Sequence, residues 1–388
     1  MDKNQSILSN RNLHIVFCVT LAGVMGVASI TPAFPAIIRY FEITPRQVGW
    51  LIVLFTLPGV VLTPLTGILA DRYGRKPILV PSLFLFGLAG FTCFFIRDYQ
   101  WLLFFRFIQG IGASSLSSMG ITLIGDIFPG KKRVAAMGYN ASILSVGTAM
   151  YPAIGGVLAA LDWPFIFLLP VLAIPLGLWV IYGLRNPEPS SERSLKDYFG
   201  NVWQTINRRT VWGLFLTNIL LFIILYGAYL TYFPLLLATH FGAGSATIGV
   251  TMSLMSLVTA ITSFNLPYIN RFLSAKKQLA GACGFYFLSM LVLSMSARWE
   301  MVIAGVLFLG LGHGVMVPSV QTLLVGMAGI EERAAFMSLN AMLLRSGQTI
   351  GPLLIGFFYA AGDLQAAFGA GAGLAVLMVL LIVTMVKA

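Results

Sequence analysis

Three ionisable side chains fall inside long apolar stretches of the sequence, where lipid normally excludes charge. They are Arg106, His313 and Arg345. A charged side chain at mid-membrane costs about 2.5–3.5 kcal/mol on insertion scales, so such residues usually line a cavity or serve a partner. The arginines could bind an anionic or polar group, and the histidine could carry a proton because it titrates near neutral pH. We therefore predict a polar pathway through an otherwise apolar protein.

Two alternatives to this interpretation stay open. Arg345 could instead snorkel to the lipid headgroups, because its long apolar stem lets the charge reach the membrane surface. His313 could be a neutral histidine that is hydrogen-bonded to a neighbouring backbone group.

Polar and aromatic side chains in the same stretches extend the set. The candidate cavity residues are Arg106, Gln109, Tyr151, Asn218, Tyr226, Tyr229, His313, Arg345 and Gln348. Hydrogen bonds between neighbouring helices are the alternative role for these side chains. The candidates for proton transfer are Arg106, Asp126 and His313. All thirteen acidic residues lie at the ends of the apolar stretches or between them, and Asp126 is nearest to an apolar interior. The pathway is thus predicted to be neutral or positive, which favours neutral or anionic molecules over cations.

No group of residues in the sequence is suited to catalysis or to metal binding. The three histidines are isolated, and Cys18, Cys93 and Cys283 lie far apart in apolar stretches. Metal sites need clustered His, Cys, Asp or Glu, and covalent catalysis needs a nucleophile beside a base. We predict no metal, no cofactor and no enzymatic activity. A membrane-embedded enzyme and a receptor that transports nothing remain distant alternatives.

The elements that must position these residues are long apolar helices. Of the 388 residues, 58% are hydrophobic and 10% are charged, whereas a soluble domain has about 25% charged residues. This composition excludes a soluble enzyme, a disordered chain and a nucleic-acid-binding domain. A spanning helix needs about 20 apolar residues. Twelve stretches are long enough, at about 13–38, 47–70, 77–97, 100–126, 133–160, 163–184, 211–237, 245–269, 278–297, 300–327, 334–361 and 364–387. The sequence therefore predicts an all-α integral membrane protein with twelve transmembrane helices.

The distribution of charge predicts the orientation in the membrane. The net charge is +11, and most lysines and arginines fall at the termini and in the loops after even-numbered helices. Because cytoplasmic loops are enriched in Lys and Arg, both termini are predicted to be cytoplasmic. We expect a multi-pass monomer in the plasma membrane, which is the inner membrane in a bacterium. Its expected partners are the lipid bilayer and a small-molecule substrate, with protons as a further candidate and no nucleic acid.

The two halves of the chain resemble each other at a fixed offset of 200 residues. Met137–Gly156 aligns without a gap with Met337–Gly356. The coincident pairs include Asn140/Asn340, Gly147/Gly347 and Pro152/Pro352. Six spans separate the two copies, and because six is an even number the copies must run parallel. Parallel six-helix halves related by an axis along the membrane normal are a transporter architecture.

The repeat also predicts the domain organisation. We expect two pseudo-symmetric six-helix bundles at 1–184 and 211–388. The connection at 185–210 is polar, and Pro187 and Pro189 end the preceding helix. Its apolar residues fall near helical spacing, so it is either an amphipathic helix on the membrane surface or a solvated linker.

Four motifs resemble the major facilitator superfamily, and within it the twelve-helix drug:proton antiporter family. The loop between helices 2 and 3 reads GILADRYGRKP from Gly67 to Pro77. Helix 4 contains RFIQGIGAS from Arg106 to Ser114, and helix 5 contains GTAMYPAIGG from Gly147 to Gly156. Helix 1 carries a glycine and two prolines, at Gly26, Pro32 and Pro35. The resemblance covers essentially the whole chain.

This resemblance implies roles for the matched positions. A charge latch at the cytoplasmic face would comprise Asp71, Arg72, Arg75 and Asp126, with Asp71 linked to the start of helix 11. The latch would break when the protein opens inward. Arg106 would lie on the cavity wall and influence proton coupling. A hinge between helices 5 and 8, and its repeat, would comprise Gly147, Pro152, Gly155, Gly156, Gly347, Gly351 and Pro352.

The resemblance implies a secondary active transporter that works by alternating access. We expect proton-coupled efflux of amphipathic, drug-like molecules, with neutral or anionic ones favoured. Two departures from the family pattern bear on this expectation: Tyr151 replaces the usual glycine before Pro152, and helix 1 contains no acidic residue. The alternative is a proton-independent facilitator, or a carrier of a specific anionic or neutral metabolite or lipid.

Overall fold

The computed structural model describes residues 7–184, 208–327 and 333–386, and all regular elements in those residues are helices. The first six long helices are α1 (Arg11–Phe41), α2 (Pro45–Tyr73), α3 (Arg75–Phe95), α4 (Tyr99–Ile127), α5 (Gly130–Leu161) and α6 (Trp163–Gly183). The next four are α7 (Arg209–Phe241), α8 (Ser245–Phe264), α9 (Ala275–Ser294) and α10 (Trp299–Met327). The predicted linker at 185–210 lies almost wholly outside the described residues.

The final apolar stretch, Arg333–Met385, contains two helices. The backbone leaves helical geometry at Gly362 (φ −169°, ψ 38°) and at Asp363 (φ 56°, ψ −152°). We call the helix before this break α11 (333–361) and the helix after it α12 (364–385). The described residues therefore contain twelve long apolar helices, as the sequence predicts, although α11 and α12 are joined by two residues and not by a loop.

Three helices depart from regular α-helical geometry. The first helix, predicted as one continuous stretch, is interrupted after Ala28 and continues through a 3-10 turn at Thr31–Ala33. Pro32 and Pro35 lie at this interruption and lack the N–H groups that an unbroken helix needs. The first ten residues of α6, Trp163–Leu172, form a 3-10 helix. In α7, Ile224–Tyr232 form a π-helix, a rare geometry that is often found at functional sites.

The two halves repeat not only in sequence but in packing. Gly110 of α4 lies against the backbone of Phe55 in α2, and Gly310 of α10 lies against the backbone of Met255 in α8. Each residue of the second contact follows its counterpart by 200 positions. The same holds for Gly112 on Phe86 and Gly312 on Tyr286. The protein therefore consists of two parallel, pseudo-symmetric six-helix halves.

Buried polar pairs occupy matching places in both halves. Thr20 of α1 donates a hydrogen bond to Asn140 Oδ1 of α5 at 2.8 Å. In the second half, Asn218 of α7 donates to Asn340 Oδ1 of α11 at 2.9 Å. A hydrogen bond between helices satisfies polar groups that lipid cannot satisfy. These pairs fix α5 on α1 and α11 on α7.

Candidate functional site: a crevice between the two halves

The helices α5 and α8 bring the halves into backbone contact. A Cβ atom on Gly156 would lie 2.4 Å from the carbonyl oxygen of Ser245, and one on Gly249 would lie 2.2 Å from that of Pro152. The amide of Ala153 donates to Ser253 Oγ at 3.0 Å. We call the membrane face that carries Arg11 and Met385 the terminal face and the opposite one the far face. These contacts lie in the half of the membrane nearer the far face.

The helices α2 and α11 form the second contact between the halves. A Cβ atom on Gly49 would lie 3.2 Å from the Pro352 side chain. About two turns further along α2, the hydroxyl oxygens of Thr56 and Thr349 are 2.9 Å apart. Both hydroxyls are buried. The far-face ends of the halves are thus closed against each other.

Toward the terminal face the halves diverge. A cleft of about 320 Å³ separates α2 from α11, and it is lined by Val60, Val61, Pro64, Leu65, Leu339 and Met342. On α5, Tyr139 and Leu144 are exposed, and a Cβ atom on Gly138 would meet no atom within 4 Å. The space between the halves therefore opens at the terminal face.

Arg345 lies at the apex of this crevice. Its side chain crosses from α11 to α2, where a Cβ atom on Gly59 would lie 3.2 Å from Arg345 Cδ. Arg345 donates to Gln348 Oε1 at 3.0 Å, and Tyr226 of the π-helical segment lies close enough to interact with it electrostatically. Arg345 and Tyr226 are half-buried, whereas Gln348 is buried. The structure thus brings three of the predicted cavity residues together between the halves.

Arg106 and Gln109 form a second arginine–glutamine pair, but it lies inside the first half. Arg106 is 1% exposed and donates three hydrogen bonds, to Leu51 O of α2, Gly26 O of α1 and Gln109 Oε1. Its guanidinium also lies 4.2 Å from the centre of the Phe55 ring. In this conformation Arg106 connects α1, α2 and α4 and does not face the crevice. Its predicted part in proton coupling stays a prediction.

The other cavity candidates contact helices of their own half. Asn218 is held by Asn340. Tyr229 is 1% exposed, donates to Met252 O at 3.4 Å and stacks on Phe233. Tyr151 is 8% exposed and lies beside Gly147 of its own helix. Gly147 in turn packs on Leu21 of α1.

The two remaining proton candidates lie away from the apex. His313 Nδ1 is 2.6 Å from the hydroxyl oxygen of the buried Tyr286 in α9, so its ring lies against a neighbouring helix of the second half. Asp126 lies at the terminal end of α4, where its carboxylate accepts a 2.8 Å bond from Arg75 Nε. Neither side chain belongs to the group around Arg345.

Three of the four latch residues are in contact within the first half. Arg75, at the start of α3, pairs with Asp71 of α2 and with Asp126 of α4. This triad is formed although the crevice is open at the terminal face. Arg72 is exposed and lies over the Tyr73 ring, apart from the triad. The side chains at the start of α11, to which Asp71 is predicted to be linked, lie outside the described ones.

The predicted hinge residues lie at close helix contacts. Gly156, Pro152 and Pro352 touch the opposite half of the protein. The other predicted hinge residues pack inside their own half. A Cβ atom on Gly147 would meet Leu21, and one on Gly155 would meet Ser29 O. A Cβ atom on Gly347 would meet Ile219 O, and one on Gly351 would meet the backbone of Gly227.

The sequence reading missed several residues that build the contact between the halves. These are Gly49, Thr56, Gly59, Gly249 and Thr349. One signal was present: Ser245, Gly249 and Ser253 recur every four residues along α8, a small-residue pattern that permits close helix packing. For Thr56 and Thr349 the sequence holds no comparable signal.

Two parallel six-helix halves around a crevice that is open at one face define the fold of a secondary transporter. A family model described as Major Facilitator Superfamily matches residues 16–297 and 236–387. The chain belongs to the major facilitator superfamily, and it is a multi-pass membrane transporter rather than an enzyme.

The chain is similar in sequence to bacterial drug-resistance proteins. It is 24% identical over 363 residues to the quinolone resistance protein NorA of Staphylococcus aureus (strain Mu50 / ATCC 700699), covering 90% of each chain. It is 25% identical over 365 residues to the multidrug resistance protein 1 of Bacillus subtilis (strain 168), again covering 90% of each. These relatives bear out the resemblance to drug antiporters that the motifs indicate.

Solved structures share the fold. The nucleoside transporter NupG superposes with a TM-score of 0.79 at 11% identity, covering 97% of this chain and 98% of that one. A bacterial homologue of the human lysosomal transporter Spinster, in an inward-facing and unoccupied conformation, superposes with a TM-score of 0.76 at 16% identity, with 96% and 94% of the chains covered.

In the described part of this chain no three His, Cys, Asp or Glu residues come together as a metal site would require.

Proposed function

We propose that the protein exports neutral or anionic amphipathic molecules by alternating access, with protons as the driving ion. The observation that carries the substrate class is the charge of the crevice. Arg345 lies at its apex, and the carboxylates of the described residues all lie at helix ends: Glu42, Asp71, Asp98, Asp126, Asp162, Glu300 and Asp363. A cationic substrate would meet a like charge and no carboxylate to pair with it.

Two further observations support export of amphipathic molecules. The cleft below Arg345 is lined by aliphatic side chains, which suit the apolar part of such a substrate. The relatives that match this sequence over most of its length are named as quinolone and multidrug resistance proteins. We place the protein in the plasma membrane with both termini, and thus the open face of the crevice, in the cytoplasm. From there it would take substrate from the cytosol.

A proton-independent carrier is the second candidate, and one observation favours it. In the part of the chain that the structure describes, no carboxylate lies in the middle of a helix, and a buried carboxylate is a common proton site in transporters. Flux into proteoliposomes with and without a pH gradient separates the two functions. A gradient-dependent rate supports proton coupling, whereas identical rates would leave the proton-independent carrier.

Charge selectivity provides the first testable prediction. Purified protein in liposomes should move fluorescein, an anionic xanthene dye, faster than a rhodamine ester of the same scaffold, which is cationic. Arg345→Gln should lower the preference for the anion by about tenfold, because a hydrogen bond to a charged group contributes about 1.5–3 kcal/mol. The matched control is Arg46→Gln, which removes a charge near the far face. Faster transport of the cation by the unmodified protein would contradict the proposed substrate class.

A further inference from the structure

A largely apolar cleft with polar side chains in its lining lies at the terminal end of the second half, outside the crevice between the halves. It measures about 310 Å³ and is formed by the end of α8, the start of α9 and the terminal part of α10. Its lining includes Leu266, Asn270, Ser274, Ala275, Gln278 and Ser319. All the lining residues belong to the second half, so the cleft is separate from the proposed substrate route.

The repeat explains why the second half has a cleft here. The corresponding place in the first half holds the triad of Asp71, Arg75 and Asp126. At the offset of 200 residues the counterparts are Arg271, Ala275 and Gly326. The arginine side chain that lies between α2, α3 and α4 is therefore replaced by a methyl group. Both acids are also lost, and one of them becomes a base.

The lining has become more polar at the same time. Gln278 stands where the first half has Ile78, and Ser319 stands where it has Met119. Gln278 is 5% exposed and donates to Asn270 Oδ1 and to Leu273 O, both at 2.8 Å. These bonds hold the cleft in shape, and Ser319 donates to Gln278 Oε1 at 3.5 Å. The hydroxyl group of Ser274 and the amide nitrogen of Asn270 remain as donors to a ligand. A group of hydroxyl and amide donors suits an oxyanion.

The charge around the cleft has one sign. The segment 264–281 contains Arg271, Lys276 and Lys277 and no Asp or Glu, and residues 315–327 contain no charged residue. Arg271 and Lys277 are exposed, whereas Lys276 donates to Val383 O at the end of α12. Basic residues therefore neighbour the lining residues in the sequence, and these two segments contain no carboxylate that would oppose an anion in the cleft.

Exposed aromatic side chains flank the same end of α8. Phe264 is 85% exposed, Tyr268 61% and Phe272 70%, and they recur every four residues. Aromatic residues at a helix end are typical of the membrane–water interface. The cleft thus lies at the depth of the lipid headgroups, beside a surface that suits acyl chains. This placement favours a lipid over a soluble anion.

We propose that the cleft binds the phosphate group of an anionic phospholipid from the leaflet at the terminal face. Basic pockets between transmembrane helices bind such headgroups. The hydroxyl and amide donors would hold the phosphate oxygens, and Arg271 and Lys277 would balance its charge. The proposal is independent of what the protein transports.

The test measures lipid binding to the purified full chain by native mass spectrometry. Phosphatidylglycerol and phosphatidylcholine with identical acyl chains are titrated separately. One phosphatidylglycerol should bind more tightly than phosphatidylcholine. Arg271→Gln should weaken that binding about fivefold, the effect expected for one basic residue near the surface. Ser319→Met, which installs the first-half residue and fills the cleft, should weaken it as well.

Controls distinguish this site from general surface charge. Arg208→Gln removes an exposed charge from the same face, and it should leave the affinity unchanged. Equal affinities for the two lipids, or an equal loss from Arg208→Gln and Arg271→Gln, would overturn the proposal. If inorganic phosphate at equimolar concentration displaced the lipid, the cleft would be a site for a free anion, and the proposal of a lipid site would be overturned. If Ser319→Met does not fold, Arg271→Gln still tests the proposal, because it changes an exposed residue.

Discussion

Gly156→Val is expected to stop transport while leaving the protein folded. In the structure a Cβ atom at this position would lie 2.4 Å from the carbonyl oxygen of Ser245 and 3.0 Å from the Cα atom of Gly249. Both are backbone atoms of α8, which cannot turn aside as the end of a side chain can. The larger residue would therefore keep the far-face ends of the halves apart.

The size of this effect follows from population arithmetic. Overpacking a tight contact costs about 1–3 kcal/mol. Applied only to the conformation that is closed at the far face, a cost near 3 kcal/mol shifts its equilibrium with the other conformations about 100-fold against it. Transport needs that conformation in every cycle. Dye flux in proteoliposomes should fall by up to the same factor, and spin labels on Leu161 of α5 and Thr247 of α8 should move apart.

A control on another helix separates closure from a general effect of valine. Gly369 of α12 is exposed, and a Cβ atom there would meet no atom within 4 Å, so Gly369→Val should transport at nearly the normal rate. If Gly156→Val transports as well as Gly369→Val, the backbone contact between α5 and α8 does not take part in the cycle.

Arg106→Leu is expected to destabilise the protein by about 3 kcal/mol or more, whatever the substrate. The substitution removes hydrogen bonds to Leu51 O, Gly26 O and Gln109 Oε1 and the contact with the Phe55 ring. Each hydrogen bond from a charged group contributes about 1.5–3 kcal/mol, and the substitution leaves buried acceptors without their donor. Unfolding in mixed micelles with increasing denaturing detergent would measure the change.

Arg345→Leu provides the matched comparison. Arg345 has the same spacing to its glutamine, but it is half-buried between the halves. Its replacement should change substrate selectivity more than the free energy of unfolding. Equal destabilisation by the two substitutions would show that burial does not distinguish the arginines. A normal stability for Arg106→Leu would show that Arg106 does not hold α1, α2 and α4 together.

The contrast between the two arginines shows where sequence reasoning ends. Both stand inside apolar helices and both have glutamine three residues later, so the sequence predicts the same pathway for both. Which side of the helix faces the crevice depends on the rotation of α4 and α11 about their axes. Helices that are apolar all round carry no periodic signal that would fix this rotation. The environment of each arginine therefore had to come from the structure.

Features that depend on length and repetition were predictable. Apolar stretches of sufficient length predicted the twelve helices, and the match of Asn140 with Asn340 predicted the parallel halves. The equivalent hydrogen bonds of these two residues confirm the repeat. The break in α1 and the π-helix of α7 were not predicted, because each depends on packing against other helices. Proline gave only part of that signal, since α2 contains Pro58 and Pro64 without a break.

The most direct test of alternating access is a reversible cross-link between Thr56 and Thr349. Their hydroxyl oxygens are 2.9 Å apart across the two halves, so cysteines at both positions would lie within disulfide reach. The variant is made in a background without Cys18, Cys93 and Cys283, and the two single-cysteine variants are the controls. Oxidation should reduce fluorescein flux to that of empty liposomes, and reduction should restore it. Full transport by the fully cross-linked protein would contradict the claim that the halves must separate at this contact in each cycle.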